Sequence, residues 1–261
     1  MSGPLPGVDL HHEVCGSGPA LLLIAGATGD ADHFARLAHL LAGDFTVVTY
    51  DRRGNGRSPA ADPAAAAAIA AQADDAAAII RAAGGSVLVV GFSSGGLIAL
   101  ELLARHRRLV RGAMVHEPAL LALAPAAPER MRPVIELAAR DLPAALETFF
   151  RMNTSDAAWE GLDPATRSRM LGSAANLFQY EYPAVASYLP DEAALAAATA
   201  PVHVLVSAHG LPHAPEVQRW LLQRLPSATA GTVSGSHAPY LDQPDTFAAE
   251  VRPLLLRLPA S

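Results

Sequence analysis

Val87-Leu88-Val89-Val90-Gly91-Phe92-Ser93-Ser94-Gly95-Gly96 is the stretch on which the reading of this chain turns. Val87 to Val90 is a short β-branched apolar run, as a strand buried on both faces requires. Leu97 to Leu103 is Leu- and Ala-rich and reads as a helix. Between them lies G-x-S-x-G, with Ser93 at its centre. A lone G-x-S-x-G in a Gly-rich chain is weak evidence, and an ordinary Ser-rich turn is the competing reading. Its place between a strand and a helix gives the motif meaning, because a sharp strand-to-helix turn lifts the serine above the sheet. The flanking glycines leave room for strand and helix to meet, and the Ser93 side chain projects near the positive end of the helix.

The same alternation extends in both directions. Leu21–Ala25, Thr46–Tyr50, Ala113–Val115 and Val202–Val206 read as further buried strands. Asp32–Leu41, Asp62–Ala83, Gly95–Arg107 and Ala214–Leu225 read as the helices between them. Such β-α alternation calls for right-handed crossovers and a doubly wound, mostly parallel sheet. Val8–Cys15, beside the Gly16–Pro19 turn, is expected as an antiparallel edge strand. The rhythm stops between Leu120 and Thr199, which holds seven prolines and half of the aromatics but no strand-like run. This segment reads as a helical cap laid over the sheet. The expected division is an α/β core from 1–119 and 200–261, with the cap at 120–199. Its aromatics, among them Phe149, Trp159, Tyr182 and Tyr188, are expected to pack a core or to line a pocket beneath it. Trp159 and Tyr188 are taken as substrate-binding candidates.

Composition narrows the chemistry. The 261 residues carry a net charge of −6, with 51% hydrophobic and 17% charged residues. This balance suits an α/β domain with a large core and argues against a nucleic-acid partner. All 19 basic residues are Arg. The absence of Lys excludes a Schiff-base lysine, a P-loop lysine and a Ser-Lys dyad. The single cysteine, Cys15, excludes an intramolecular disulfide and a Cys metal cluster. Met1 to Val14 lacks the pattern of a leader, and no early apolar run is long enough to span a bilayer. The expectation is a cytoplasmic enzyme with a Ser, Asp or Glu nucleophile, no cofactor, no metal and no membrane. A homodimer stays open.

The partners of Ser93 are sought at other strand ends. His237, in Ser236-His237-Ala238-Pro239, is the sole His in the final forty residues and precedes the last helix. It is placed to act as general base and then general acid. The acid that commonly follows the penultimate strand is missing, since Ser207-Ala208-His209-Gly210-Leu211-Pro212-His213 holds no carboxylate. Glu117, where Ala113–Val115 runs out at His116-Glu117-Pro118, is the alternative triad acid. A Glu capping the next helix is the bland reading, and Asp242 and Glu216 stand in reserve. Asp51, in a Gly/Arg turn, is read as structural. For the oxyanion hole, the N–H of Ser94 and that of Ala27 are the candidates, with Gly26 allowing the backbone close approach to substrate. A Gly-rich phosphate cradle competes for that loop but lacks the G-x-G-x-x-G spacing.

Together these residues resemble the α/β-hydrolase superfamily, from about Gly18 to Leu258. The resemblance rests on Gly26-Ala27, on Arg53-Gly54-Asn55-Gly56-Arg57-Ser58, on the Ser93 turn and on Ser236-His237. An acid at Glu117 is similar to the placement in haloalkane dehalogenases and in zearalenone lactone hydrolases. The former use an Asp nucleophile, so Ser93 fits the lactonase-like group. The resemblance implies a serine hydrolase acting on a small carboxylic ester or lactone. A lyase, cyclase or perhydrolase in the same cradle, and a receptor-like binding module, are the alternatives carried.

Overall fold

A computed structural model describes residues 5–258; the first four residues of the Met1–Val14 stretch lie outside it. Seven strands form one sheet: β1 (His12–Gly16), β2 (Ala20–Ile24), β3 (Thr46–Tyr50), β4 (Val87–Phe92), β5 (Val110–His116), β6 (Val202–Ser207) and β7 (Ala228–Val233). Their order is β1-β3-β2-β4-β5-β6-β7. β1 pairs antiparallel with β3 and every other pairing is parallel. The doubly wound, mostly parallel sheet expected from the alternation is therefore the fold. The edge strand begins at His12 rather than Val8. β7 has no apolar run to announce it, because Ala-Thr-Ala-Gly-Thr-Val lies at the sheet edge and is largely solvent-facing.

Period-two alternation explains the layers. Leu22, Ile24, Val87 and Val89 point to one face, where helices α2 (Ile69–Ala82), α3 (Ser94–Arg105) and α7 (Ala214–Leu222) pack. Leu21, Leu23, Leu88, Val90 and Phe92 point to the other, against α1 (Ala35–Leu41) and α8 (Pro244–Arg257). Residues buried on alternate faces make both faces apolar, so the strands read as continuous hydrophobic runs. The reading of Asp62–Ala83 as one helix needs correction. A short turn at Pro63–Ala66 is separated from α2 by Ala67 and by Ala68 in extended backbone.

Between β5 and β6 the described residues form helices and turns only. They include α4 (Ala127–Ala138), α5 (Leu142–Asn153) and α6 (Pro164–Gly172), followed by a π-helical turn at Leu177–Glu181. Met131, Leu146, Phe150, Trp159, Met170 and Leu177 are among the side chains of a separate apolar cluster within this segment. The segment is seated on the strand ends by charge. Arg169 pairs with Asp30 at 2.7 Å and also with Asp32, while Arg52 pairs with Glu181 at 3.0 Å. No helix among the described residues is long and apolar enough to cross a membrane.

Candidate active site

Ser93 follows β4 with φ 53° and ψ −120°, a conformation that costs an L-residue on the order of 1–3 kcal/mol. The turn holds because the neighbouring glycines admit no side chain. A Cβ on Gly91 would strike the carbonyl oxygen of Gly95, and one on Gly95 would strike that of Ile24. The Ser93 N–H donates to the His116 carbonyl at 3.0 Å, tying the turn to the end of β5. Ser94 is the first residue of α3, so its N–H has no acceptor one turn earlier in the helix.

Glu117 leaves β5 with φ 41° and is almost fully buried. Its N–H donates to Leu205 at 2.9 Å, which anchors the residue against β6. The loop after β6 then closes around the carboxylate. Ser207 N–H donates to Oε1 at 2.9 Å and Leu211 N–H to Oε2 at 3.1 Å. A Cβ on Gly210 would overlap the carboxylate, so this glycine is what lets the loop wrap it. His237 Nδ1 lies 2.6 Å from Oε2. Burial works to raise the Glu117 carboxyl, but the hydrogen bond from His237, the electrostatic influence of the His237 and His116 rings and the Ser207 N–H outweigh burial and hold it below the usual carboxylate range. The neighbouring His116 is pushed down to about 3 by burial and stays neutral, with Nε2 2.9 Å from Ser207 Oγ.

Of the other acids weighed, neither meets the Nδ1 atom of His237. Asp242 accepts from Ser155 Oγ at 2.8 Å and from Ser236 Oγ. Glu216 sits in the first turn of α7. Asp51 is buried and accepts from the Ala31 and Arg57 N–H groups and from the Arg57 guanidinium, which places it in the turn framework.

Ser93, Ser94, Ala27 and His237 line one cavity that opens to solvent. Its walls include Leu121, Met131, Phe149, Leu177, Val185 and Leu211. A smaller lobe shares Ala27, Ser93 and His237 and continues past Gly26, His33 and Tyr240. The two lobes meet at Ser93 and His237. Two candidates lie elsewhere. Trp159 is buried against Phe150, with Arg151 and Arg167 over its ring, so it belongs to the helical segment's own core. Tyr188 donates to Glu101 Oε2 at 2.6 Å and packs beside α3.

The structure brings forward residues that sequence reasoning passed over. Arg52 is buried, and its Nη2 donates to the Gly26 carbonyl at 2.8 Å and to Glu181 at 3.0 Å. Glu181 also accepts from Asn55 at 2.6 Å and Asn176 at 3.3 Å, and lines the cavity. Arg52 thereby fixes the loop that carries Ala27, and it does so through the π-helical turn. Arg130, His213 and Asn153 are polar groups on the same cavity wall. No local pattern marks these, since Arg52 and Glu181 lie 129 residues apart. Among the described residues no group of three or more His, Cys, Asp or Glu side chains is arranged to hold a metal ion.

A model of the alpha/beta hydrolase family matches residues 21–250. An uncharacterised hydrolase of Bacillus subtilis, YraK, is 32% identical over 194 residues, covering 73% of this chain and 70% of its own. A zearalenone hydrolase of Cladophialophora bantiana is 27% identical over 256 residues, covering 94% of this chain and 92% of its own. Among solved structures, an enol-lactonase from Burkholderia xenovorans superposes with a TM-score of 0.79 at 19% identity, covering 98% of this chain and all (100%) of that one. At that identity the likeness is one of fold.

Proposed function

The chain belongs to the alpha/beta hydrolase family, and from that premise we propose that it cleaves a carboxylic ester or lactone through an acyl-enzyme on Ser93. The observation that carries this reading is the meeting of a strained Ser93 and His237 in one cavity, with a buried carboxylate 2.6 Å behind the imidazole. His237 accepts the Ser93 proton as Oγ attacks the acyl carbon. Glu117 holds the Nδ1–H tautomer and stabilises the imidazolium that forms. The N–H groups of Ala27 and Ser94 receive the oxyanion, each worth about 3 kcal/mol of transition-state stabilisation. His237 then returns the proton to the leaving alkoxide, which in a lactone stays tethered to the acyl group. A water that loses its proton to His237 attacks the acyl carbon and frees Ser93. Residues 120–199 act as a cap that supplies most of the cavity wall.

The relative named as a zearalenone hydrolase supports the ester or lactone class. The test is a panel of p-nitrophenyl esters and lactones with wild type and Ser93→Ala, together with phosphonate labelling read by mass spectrometry. We expect one phosphonyl adduct at Ser93, turnover that adds one water, and loss of turnover in Ser93→Ala. Full activity in that variant refutes the mechanism.

A further inference from the structure

Among the described residues, Arg130 is a cation in the cavity wall without a carboxylate partner. Its Nη1 donates to Asn153 Oδ1 at 2.9 Å and its Nη2 to the Met152 carbonyl at 2.9 Å, both neutral acceptors. These two bonds hold the planar guanidinium in place and leave its remaining N–H donors for another acceptor. The other ionisable groups lining the cavity are differently placed. Glu181 gives its oxygens to Arg52, Asn55 and Asn176, and His237 is backed by Glu117. His213 also lines the cavity, and its Nε2 is buried with no hydrogen-bond partner among the described residues. Burial pushes both Arg130 and His213 down from their ordinary values, and His237, then Arg130, further disfavour the charged form of His213. The rest of the wall is largely apolar. A half-buried cation with free donors in an apolar cavity is stabilised most by an anionic ligand that fits its fork.

We propose that the substrate carries a carboxylate remote from the scissile bond, and that Arg130 is the specificity-determining residue that receives it. The inference rests on the hydrolase reading above, and Arg130 takes no part in the acyl chemistry. The cavity is then one for short carboxylate-bearing esters or lactones.

The experiment compares monoethyl esters of succinate, glutarate and adipate with ethyl esters in which an isopropyl group replaces the CH₂–carboxylate terminus, following acid release by titration. The quantity read is the ratio of kcat/KM for each charged ester to its neutral counterpart. Wild type should favour at least one charged ester, and Arg130→Gln should lower that ratio about 10- to 100-fold, as loss of a charge-assisted contact does. Arg130→Lys should keep part of the preference by keeping the charge. In parallel, free glutarate and adipate should raise the melting temperature of wild type and not of Arg130→Gln, a readout that needs no turnover. A purely structural strut would lower both rates alike and leave the ratio unchanged, which overturns the proposal. Equal ratios in wild type and Arg130→Gln together with no dicarboxylate binding also overturn it. Hydrolysis that survives Ser93→Ala instead defeats the acyl-enzyme reading, so the two failures are told apart.

Discussion

Three residues other than glycine hold a positive φ among the described residues: Thr28, Ser93 and Glu117. Each lies just beyond the carboxyl end of a strand in the middle of the sheet, the place where strained backbone serves a site. Ser93 was legible because its strain has a local signature in Gly91 and Gly95. Glu117 was legible only by elimination, as the loop after β6 lacks an acid. Its role predicts two outcomes. Glu117→Gln should lower kcat by about 10⁴-fold, the scale seen when an imidazole loses its orienting carboxylate. The carboxyl is held below its unfolded value, so its stabilisation is complete above about pH 4.3 and fades as pH falls through the folded value. The melting temperature of Glu117→Gln should therefore fall less steeply in acid than that of wild type, and an identical slope would contradict the assignment. Gly210→Ala should also reduce kcat, by about 10²-fold, because its Cβ displaces the carboxylate from His237. Gly210 has no positive φ to protect, so the cause would be steric.

At the scale of elements, the candidate site gathers three neighbouring strand ends, the π-helical turn of the insertion and the His237 loop after β7. β2, β4 and β5 deliver the Ala27 loop, Ser93 and Glu117, and the turn delivers Glu181. Arg52 joins them, since one guanidinium nitrogen bonds both Gly26 and Glu181. The side chains of this pair are 3% and 4% exposed, which puts the pair in the regime where losing one partner strands a charge. Glu181→Ala should cost about 3–5 kcal/mol of stability in urea unfolding. The double variant Arg52→Met with Glu181→Leu should recover much of that loss, and additive single losses would show that the two groups act separately. Both changes should depress kcat, because each frees the loop that holds Ala27.

For the whole molecule, burial of imidazoles sets the response to acid. His33, His116, His203 and His213 are all pushed down, chiefly by burial. Their folded values lie below about 6.5, so the unfolded chain binds more protons as pH falls from there, and stability drops before the carboxylates protonate. The urea midpoint should decline between pH 7 and pH 5. His116→Gln should decline less, since His116 takes up a proton in the folded protein only near pH 3. A flat profile for wild type over that range would show that these rings are hydrated rather than buried.

The sequence by itself determined the alternating apolar runs, the doubly wound sheet and the Ser93 turn. These follow from short-range rules: period-two burial on both sheet faces, and glycines where a side chain would strike a carbonyl. It also placed His237 on the loop after the last strand, although β7 itself was masked by its Ala, Gly and Thr content. Only the tertiary structure decided which carboxylate meets that ring, because Glu117 and His237 lie 120 residues apart and parallel pairing of β5 with β6 brings the loop around Glu117. It also decided the cavity wall, where Trp159 turned inward to the helical core and Arg130 faced the space above Ser93. Side-chain direction within a helical insertion depends on how its helices pack on one another, and one-dimensional spacing does not carry that information.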